Sequence, residues 1–276
     1  MLNKLDIPIV ILAGGYGSRL SEKTNSLPKP MIDVGDKPIL HHIINIFINQ
    51  GFKKFFILGG YKHEIIMNYF REWCGHTENL KISYSKKNNC FKKEEIIKEK
   101  CNFELNLEEV TISVIDTGLN TMTGGRLGRV LSNLNKDKFI LTYGDGLSNI
   151  NLDNLLRTHE NFKSEVTITI VNPSSRYGRV RLSGNRVKDF NEKPVFEDNW
   201  VNGGFIVFNK FSLKNEWFND QTILEKDILT IFAREGELGF YKHLGFWQCM
   251  DTLRDYNDLN KIAKESAILP WEKIDE

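Results

Sequence analysis

The sequence predicts an α/β protein whose central sheet is mostly parallel. Over the first two thirds of the 276 residues, short β-branched runs alternate with segments whose apolar residues recur at helical spacing. The first run, residues 9–12, is entirely aliphatic, which is typical of a strand buried on both faces. It leads directly into three glycines within residues 14–17. A strand that ends in a glycine loop is where α/β proteins commonly bind anions.

The remaining elements follow in order along the chain. The predicted strands are residues 9–12, 55–58, 82–85, 110–114, 139–143, 166–171, 201–208 and 238–241, with a hairpin over 179–190. The predicted helices are residues 38–52, 64–73, 123–134, 224–234 and 251–264, the last one capped by Asp251 or Thr252. No repeat or linker interrupts the chain, so we expect a single domain over residues 1–276 with an appended C-terminal region.

One segment breaks the alternation. Residues 86–109 are crowded with Lys, Glu and Asn, and apolar residues are sparse. This composition favours a solvated loop or a charged hairpin. An arm that contacts a neighbouring subunit is the alternative.

Composition excludes several classes of partner. The 37 basic and 36 acidic residues leave a formal charge of +1, so no overall field favours nucleic acid or a membrane surface. No apolar run has the length of a membrane span, and the first six residues are too short and polar for a signal peptide. We therefore expect a cytoplasmic protein. The four cysteines form no C-x-x-C pair, which favours neither a zinc site nor disulfides: Cys74, Cys90, Cys101 and Cys249.

The glycine loop predicts a phosphate site. Main-chain amides in such a loop cradle anions, and Arg19 adds a fixed positive charge. Lys29 stands between two prolines, so we expect its backbone to be extended and stiff. Leu20 replaces the third glycine of the dinucleotide fingerprint, and no Gly-Lys-Ser/Thr triplet of a P-loop occurs. The alternative is a plain strand-to-helix connector with a surface lysine.

Two aspartates are candidate ligands of a hard cation. Asp145 lies between two glycines directly after the strand predicted at 139–143, at the edge of the sheet where ligands bind. Mg²⁺ is usually held by one or two carboxylates together with substrate phosphates. Asp251 precedes the last helix and is the second candidate. An ordinary turn at Asp145 and a helix cap at Asp251 are the alternatives.

Three further motifs carry polar groups suited to a sugar or nucleotide. Glu192 and Lys193, stiffened by the proline that follows, fit sugar hydroxyls and a phosphate. Residues 202–204, Asn-Gly-Gly, offer an amide and open backbone. Arg126 follows two glycines at a predicted helix start, where it fits a nucleobase or ribose. The alternatives are a surface ion pair, a hairpin-type turn and an exposed arginine at a helix start, respectively.

The histidines and serines match no metal-binding or nucleophile motif, which is consistent with transfer to a phosphate oxyanion. The six histidines show no metal spacing, and no serine stands in Gly-x-Ser-x-Gly. Transfer to a phosphate oxyanion needs no base, because that nucleophile is already charged near pH 7. Positioning and charge neutralisation then provide most of the catalysis.

Together these motifs resemble the sugar-phosphate nucleotidyltransferases, and in particular their glucose-1-phosphate cytidylyltransferase branch. The resemblance runs from about residue 9 to residue 271. The residues that carry it are 12–19 (Leu-Ala-Gly-Gly-Tyr-Gly-Ser-Arg), 28–30 (Pro-Lys-Pro), 116–118 (Asp-Thr-Gly), 121–126 (Thr-Met-Thr-Gly-Gly-Arg), 142–145 (Thr-Tyr-Gly-Asp), 192–194 (Glu-Lys-Pro), 202–204 (Asn-Gly-Gly), 245–248 (Gly-Phe-Trp-Gln) and 250–254 (Met-Asp-Thr-Leu-Arg). The segments at 121–126 and 245–248 are the most particular to the cytidylyl branch.

The resemblance implies a Rossmann-like nucleotidyltransferase fold with a small β/α C-terminal extension. It implies a nucleotide-binding part at about 7–150 and a sugar-phosphate-binding part with the extension at about 151–276. A phosphate oxygen of glucose 1-phosphate would attack the α-phosphorus of CTP in line, giving CDP-glucose and pyrophosphate. Members of this family form homo-oligomers, commonly hexamers, and supply dideoxyhexoses to surface polysaccharide such as O-antigen.

The resemblance also implies roles for single residues. The nucleotide-binding residues are Leu12, Ala13, Gly14, Gly15, Tyr16, Gly17, Ser18, Arg19, Thr121, Arg126 and Gly144. The sugar-phosphate-binding residues are Gly178, Glu192, Lys193, Asn202 and Gly203. Arg19 and Lys29 are catalytic, and Asp145 and Asp251 hold Mg²⁺.

Departures from the family pattern lie on the acceptor side. Arg179 and Val180 stand where the family has Ala-Leu, and residues 224–228 lack the family's Trp and Pro. A second hypothesis therefore keeps the chemistry but changes the acceptor phosphate or the nucleotide. A third is a non-catalytic sugar-nucleotide binder, which the intact set of Arg19, Lys29, Asp145 and Asp251 argues against.

Overall fold

The computed structural model describes residues 4–75, 79–85, 99–100, 110–173, 179–191 and 199–275. The strands are β1 (Pro8–Ala13), β2 (Asp33–Val34), β3 (Lys37–Pro38), β4 (Lys54–Gly59), β5 (Asn79–Ser85), β6 (Glu99–Lys100), β7 (Val110–Asp116), β8 (Lys138–Tyr143), β9 (Gly146–Ser148), β10 (Val166–Val171), β11 (Arg179–Ser183), β12 (Arg186–Asn191), β13 (Val201–Asn209), β14 (Leu238–Lys242) and β15 (Trp247–Cys249). The helices are α1 (Ser21–Thr24), α2 (Ile39–Ile48), α3 (His63–Gly75), α4 (Thr123–Gly128), α5 (Leu152–Phe162), α6 (Leu229–Glu235) and α7 (Leu253–Glu265), and a π-helical turn, Leu224–Ile228, precedes α6.

The central sheet confirms the predicted fold class. Its strands within the described part of the chain run in the order β14-β10-β13-β8-β1-β4-β7-β5-β6. β1 pairs in parallel with both β4 and β8, and β13 is antiparallel to its neighbours β8 and β10. Because Leu12 pairs with Tyr143, the ends of β1 and β8 lie side by side. The glycine loop and Asp145 therefore emerge at the same edge of the sheet.

The core lies on both faces of this sheet. All six residues of β1 are buried. Ile9 and Ile11 pack with α2 and α3 on one face, whereas Val10 and Leu12 pack with residues of α4 and α6 on the other. This two-sided burial confirms the reading of the aliphatic run as a central strand and gives the glycine loop a rigid base.

Two predicted helix ends are wrong, whereas Thr252, one of the two predicted caps of the last helix, is confirmed as its cap. The helix predicted over 123–134 ends at Gly128 and is followed by a short 3-10 turn. Phe218 packs against that glycine, since a Cβ there would lie 2.4 Å from the Phe218 Cβ. The helix predicted over 38–52 ends at Ile48, before a turn in which Gly51 has a φ of +90°. α7 begins at Leu253, and its cap is Thr252 in a capping box with Asp255.

Helix α5 is absent from the sequence prediction. Its side chains Leu152, Leu155 and Leu156 are buried at helical spacing, and Asn151 caps it by accepting a hydrogen bond from the Asn154 amide at 3.0 Å. Both signals are present in the sequence. The neighbouring glycines and polar residues made the leucine spacing and the Asn151 cap hard to recognise.

The charged segment at 86–109 is described only at β6, which pairs antiparallel with β5. The remainder of this segment lies outside the described residues, so the loop and the subunit-contacting arm stay predictions. The division into a nucleotide part and a sugar-phosphate part also stays a prediction. Among the described residues, no helix has the length and apolar character that a membrane crossing requires.

Candidate active site

A pocket of about 510 Å³ opens at the carboxyl ends of β1 and β8. The residues that line it are Leu12, Ala13, Gly14, Gly15, Tyr16, Gly17, Lys29, Pro30, Leu119, Asn120, Thr121, Met122, Thr123, Arg126, Tyr143, Gly144, Asp145 and Gln221. This set contains every predicted nucleotide-binding residue except Ser18 and Arg19. The structure thus brings residues from four distant segments of the chain to one cavity, and their contacts to a nucleotide stay a prediction.

The glycine loop packs directly against Lys29. Gly17 has a φ of +64°, and a Cβ at that position would lie 2.8 Å from Thr24 and 3.1 Å from the Lys29 Cβ. The expectation of an extended backbone at Lys29 is wrong, because Lys29–Met31 forms a 3-10 turn in which the Met31 amide donates to Pro28 at 2.8 Å. Proline favours the first turn of a helix, so the two prolines stiffen a turn rather than an extended segment.

Lys29 forms an ion pair with each of the two predicted metal ligands. Its Nζ lies 2.6 Å from Asp145 Oδ2 and 2.6 Å from Asp251 Oδ1, and its side chain is only 13% exposed. Burial alone lowers the pKa of Lys29, but Asp145 and Asp251 together raise it above its ordinary 10.5. The ammonium is therefore charged at neutral pH. Arg19, whose side chain is 76% exposed, reaches Asp251 at 3.3 Å.

The two carboxylates suit Mg²⁺ when phosphates complete the set. Both meet one cation, which shows that they converge on a single point. Cys249 lies 3.9 Å from Asp251, but burial and then Asp251 raise the pKa of its thiol to about 12, so it is not a thiolate ligand at neutral pH. Across the described ranges, no group of three or more His, Cys, Asp or Glu side chains could hold a metal ion. Substrate phosphates would have to supply the other ligands.

Thr252, and not Asp251, is the N-cap of α7. Thr252 accepts the capping hydrogen bond from the Asp255 amide, and Asp255 accepts from the amides of Thr252 and Asp251. The Asp251 main chain is thus held by the capping box. Its carboxylate turns to Lys29 and Arg19.

Arg126 is buried in a slot between two glycines. A Cβ on Gly14 would lie 2.2 Å from Arg126 Nη1, and a Cβ on Gly60 would lie 2.3 Å from the same atom. The guanidinium donates to the main-chain oxygens of Gly14, Gly59 and Gly118 at 2.8 to 3.0 Å. Burial lowers the pKa of Arg126 to about 10, so it remains charged at neutral pH. The contact of Arg126 with the base stays a prediction. Its hydrogen bond to the Gly14 oxygen shows that it supports the glycine loop.

The two glycines before Arg126 also serve packing. A Cβ on Gly125 would lie 2.4 Å from the Asn219 main-chain oxygen, and one on Gly124 would lie 2.7 Å from Thr222 Cγ2. The segment over 219–224 therefore lies directly on the start of α4. This contact explains why glycines occupy both positions without reference to a ligand.

The Asn-Gly-Gly motif lies inside β13, so the alternative of a hairpin-type turn is wrong. Asn202 Oδ1 accepts from the Gly204 amide at 3.0 Å, and its Nδ2 lies 3.4 Å from the Tyr143 hydroxyl. The Gly203 oxygen accepts from Trp247 Nε1 at 2.8 Å. The motifs at 202–204 and 245–248 are thus hydrogen-bonded to each other beside Tyr143.

Two polar residues at the site, Tyr143 and Glu225, have no role in the sequence prediction. Tyr143 stands two positions before Asp145 at the end of a buried strand, which was an available signal. Glu225 accepts a hydrogen bond from the Tyr143 hydroxyl and one from Thr123, and nothing local in the sequence indicates either contact. Gly178, Glu192 and Lys193, together with Cys90 and Cys101, lie outside the described residues, so their predicted roles stay predictions.

A serine–histidine contact in the fold is not a nucleophilic site. His243 Nε2 lies 3.0 Å from both the Ser148 hydroxyl and the Phe246 main-chain oxygen. The carbonyl only accepts, so Nε2 carries the proton and is not a base for Ser148. Ser148 is also completely buried.

Comparison with known proteins decides the family. The nucleotidyl transferase family model matches residues 9–265. This chain belongs to that family. It is 36% identical over 263 residues to the glucose-1-phosphate cytidylyltransferase of Salmonella typhi, covering 95% of this chain and 97% of that protein. It is 35% identical over 257 residues to the probable glucose-1-phosphate cytidylyltransferase of Bacillus subtilis, covering 92% and 94%.

Two solved structures share the fold. HddC from Yersinia pseudotuberculosis superposes with a TM-score of 0.65 at 20% identity, covering 92% of this chain and 98% of that one. The inositol-1-phosphate CTP transferase of T. maritima superposes with a TM-score of 0.61 at 15% identity, covering 96% and 98%. The resemblance to the family and to its cytidylyltransferase branch, and the Rossmann-like fold it implied, are confirmed.

Proposed function

We propose that this nucleotidyl transferase makes CDP-glucose and pyrophosphate from CTP and α-D-glucose 1-phosphate. The observation that carries the proposal is the meeting of Lys29, Asp145 and Asp251 beside the glycine-lined pocket. The 36% identity to a glucose-1-phosphate cytidylyltransferase over 95% of the chain supports the choice of substrates.

The chemistry is an in-line displacement. An oxygen of the sugar phosphate forms a bond to the α-phosphorus of CTP, the bond from that phosphorus to the bridging oxygen breaks, and pyrophosphate leaves. The attacking oxygen is already anionic, so no side chain has to remove a proton. Burial lowers the pKa values of His41, His42 and His159, and all three lie in the core. The chain's contribution is to align the phosphates and offset their charge.

Lys29 supplies the central positive charge. In the structure it is paired with two carboxylates, so the incoming phosphates compete with Asp145 and Asp251 for the same ammonium. The exposed Arg19 adds a second cation at the edge of this group. Mg²⁺, held by Asp145 and Asp251, would neutralise charge on the triphosphate. The rigid 3-10 turn at Lys29 keeps its charge where phosphate charge develops.

A second candidate changes the partners and keeps the chemistry. Relatives at 28% identity are a D-glycero-alpha-D-manno-heptose 1-phosphate guanylyltransferase from Aneurinibacillus thermoaerophilus and a mannose-1-phosphate guanylyltransferase catalytic subunit from Danio rerio. Both names contain a different base and a different sugar. Another sugar 1-phosphate or another nucleotide is therefore the alternative for this chain.

The family resemblance supports three further proposals, on the localisation of the enzyme, its oligomeric state and the use of its product. We place the enzyme in the cytoplasm, where CTP and sugar phosphates are available. We expect a homo-oligomer, with a hexamer as the family's common form. Its product would enter the synthesis of surface polysaccharide.

A nucleotide panel tests the proposal. Purified protein is mixed with Mg²⁺, glucose 1-phosphate and one nucleotide at a time: CTP, UTP, dTTP, ATP or GTP. Pyrophosphate release is measured. The Lys29→Met variant is the low-activity control. Release with CTP far above the other nucleotides supports the proposal. Release with another nucleotide, or with CTP only when a different sugar 1-phosphate is supplied, supports the alternative. Nucleotide binding without release from any pair supports a non-catalytic binder.

A further inference from the structure

Glu225 is the centre of a hydrogen-bonded group between two parts of the pocket wall. It lies on the π-helical turn Leu224–Ile228, and both of its carboxylate oxygens are used. Oε1 accepts from the Tyr143 hydroxyl at 2.5 Å, and Oε2 accepts from the Thr123 hydroxyl at 2.9 Å. Tyr143 and Thr123 line the pocket, whereas Glu225 stands behind them. Glu225 therefore acts on the pocket through these two hydroxyl groups.

The hydrogen-bond directions in this group follow from counting protons. A carboxylate only accepts, so Tyr143 donates its single proton to Glu225. The Tyr143 oxygen then only accepts from other groups, and Asn202 Nδ2 already lies 3.4 Å away on that side. Thr123 is fixed in the same way, because its oxygen accepts from the Leu224 amide at 2.9 Å while its proton goes to Glu225.

The Tyr143 ring lies on the acceptor side of the site. Asn202 and Gly203 are predicted sugar-phosphate residues, and a Cβ on Gly204 would lie 2.8 Å from the Tyr143 ring. Tyr143 also stands at the end of β8, two residues before Asp145. The Tyr143 hydroxyl thus lies beside Asn202, one of the residues expected to meet the sugar.

We propose that Glu225 is a positioning residue that fixes the Tyr143 oxygen as a hydrogen-bond acceptor for one hydroxyl group of the acceptor sugar. The subsite then selects sugar phosphates with a donating hydroxyl group at that position over deoxy or fluorinated analogues. This inference rests on the proposed function, because it concerns the acceptor of the same reaction.

Three variants separate this role from simple support of the fold. Glu225→Leu removes both acceptors, so the Tyr143 proton is free to turn toward the sugar. We expect KM for glucose 1-phosphate to rise about three- to tenfold, the range of one hydrogen bond, with KM for CTP changed less than about twofold. Glu225→Gln keeps a carbonyl oxygen for Tyr143 and should stay within about threefold of the wild type. Tyr143→Phe should raise KM for glucose 1-phosphate as much as Glu225→Leu does. The double variant should have a KM no higher than that of Tyr143→Phe.

The matched control is Glu235→Gln, which removes one negative charge at the exposed end of α6. It should match the wild type. The second arm replaces each sugar hydroxyl of glucose 1-phosphate in turn by fluorine, which cannot donate a hydrogen bond. In the wild type one analogue should lose about three- to tenfold in kcat/KM, and that loss should disappear in Tyr143→Phe.

Two results would overturn the inference. One is wild-type kinetics in Tyr143→Phe and Glu225→Leu. The other is an equal rise of both KM values with a lowered Tm in all three variants, which would make Glu225 a support of the fold alone. Failure of the proposed function looks different, since the wild type itself would then fail to transfer from CTP to glucose 1-phosphate.

Discussion

The guanidinium of Arg126 donates to the main-chain oxygen of Gly14 at 2.9 Å, across 112 residues of sequence. The same guanidinium fills the space that a side chain on Gly14 or Gly60 would need. Two motifs that look like separate ligand-binding signals in the sequence are therefore one packing unit. The glycine loop is held in place by a buried arginine that enters from the second glycine motif.

Alanine at either wall of the slot should destabilise the protein. Gly14→Ala or Gly60→Ala would place a methyl group within 2.3 Å of the guanidinium, and displacing a buried, fully hydrogen-bonded charge costs about 2 kcal/mol or more. We expect Tm to fall by several degrees. The stability control is Gly15→Ala, because a Cβ there meets no atom within 4 Å. Equal Tm values for all three variants would show that Arg126 has room to move.

Removal of the Lys29 charge should affect the rate more than binding. Lys29→Met should lower kcat by about 10²- to 10³-fold, because its charge is needed most where phosphate charge develops. The Kd for CTP should change far less, since the glycine loop remains. Lys261→Met, on the exposed face of α7, is the control for loss of a positive charge. A Kd that rises as much as kcat falls would make Lys29 a binding residue only.

The two aspartates should share the metal requirement. Asp145→Asn and Asp251→Asn should each raise the Mg²⁺ concentration that gives half-maximal rate, because each removes one anionic oxygen ligand. The exposed Asp258→Asn is the control, since Asp258 contacts only Arg254 on its own helix among the ion pairs described. An unchanged Mg²⁺ titration in either variant would remove that residue from the metal site.

Buried histidines should make stability depend on pH. Burial lowers the pKa of His41 to about 3, and its Nδ1 is hydrogen-bonded to the Tyr69 hydroxyl at 2.7 Å. An unfolded histidine takes up a proton near pH 6.5, so this contribution is complete above 6.5 and is lost as the pH falls toward 3. Each such histidine adds a slope of about 1.4 kcal/mol per pH unit.

Urea unfolding at pH 6 and pH 5 measures this slope. His41→Phe should show a shallower fall in the free energy of unfolding than the wild type. His42 and His159 keep their own contributions in both proteins, and their pKa values are also lowered by burial. Carboxylates contribute equally to both proteins and cancel in the difference. Identical slopes would mean that folded His41 accepts a proton.

Local patterns were sufficient for most of the sheet. The run at residues 9–12 predicted β1 because a strand buried on both faces needs only aliphatic residues, and the hairpin over 179–190 was found from its turn. Helix ends were harder. α4 stops at Gly128, a glycine against which Phe218 packs from a part of the chain 90 residues away.

At the candidate site, too, local motifs could be predicted from the sequence and contacts between distant residues could not. The sequence was sufficient to propose Lys29, Asp145 and Asp251, because each lies in a short motif whose residue types indicate its chemistry. The contact of Glu225 with Tyr143 was not, because 82 residues separate them and only the folded chain brings them together. The burial of Arg126 was also out of reach, since an arginine at a helix start is usually exposed.

The most direct test of the central claim is a ³¹P NMR spectrum of the protein with Mg²⁺, CTP and glucose 1-phosphate. We predict that CTP and glucose 1-phosphate disappear together while CDP-glucose and pyrophosphate appear in equal amounts. Persistence of both substrates, or pyrophosphate released without a CDP-sugar, would contradict the claim.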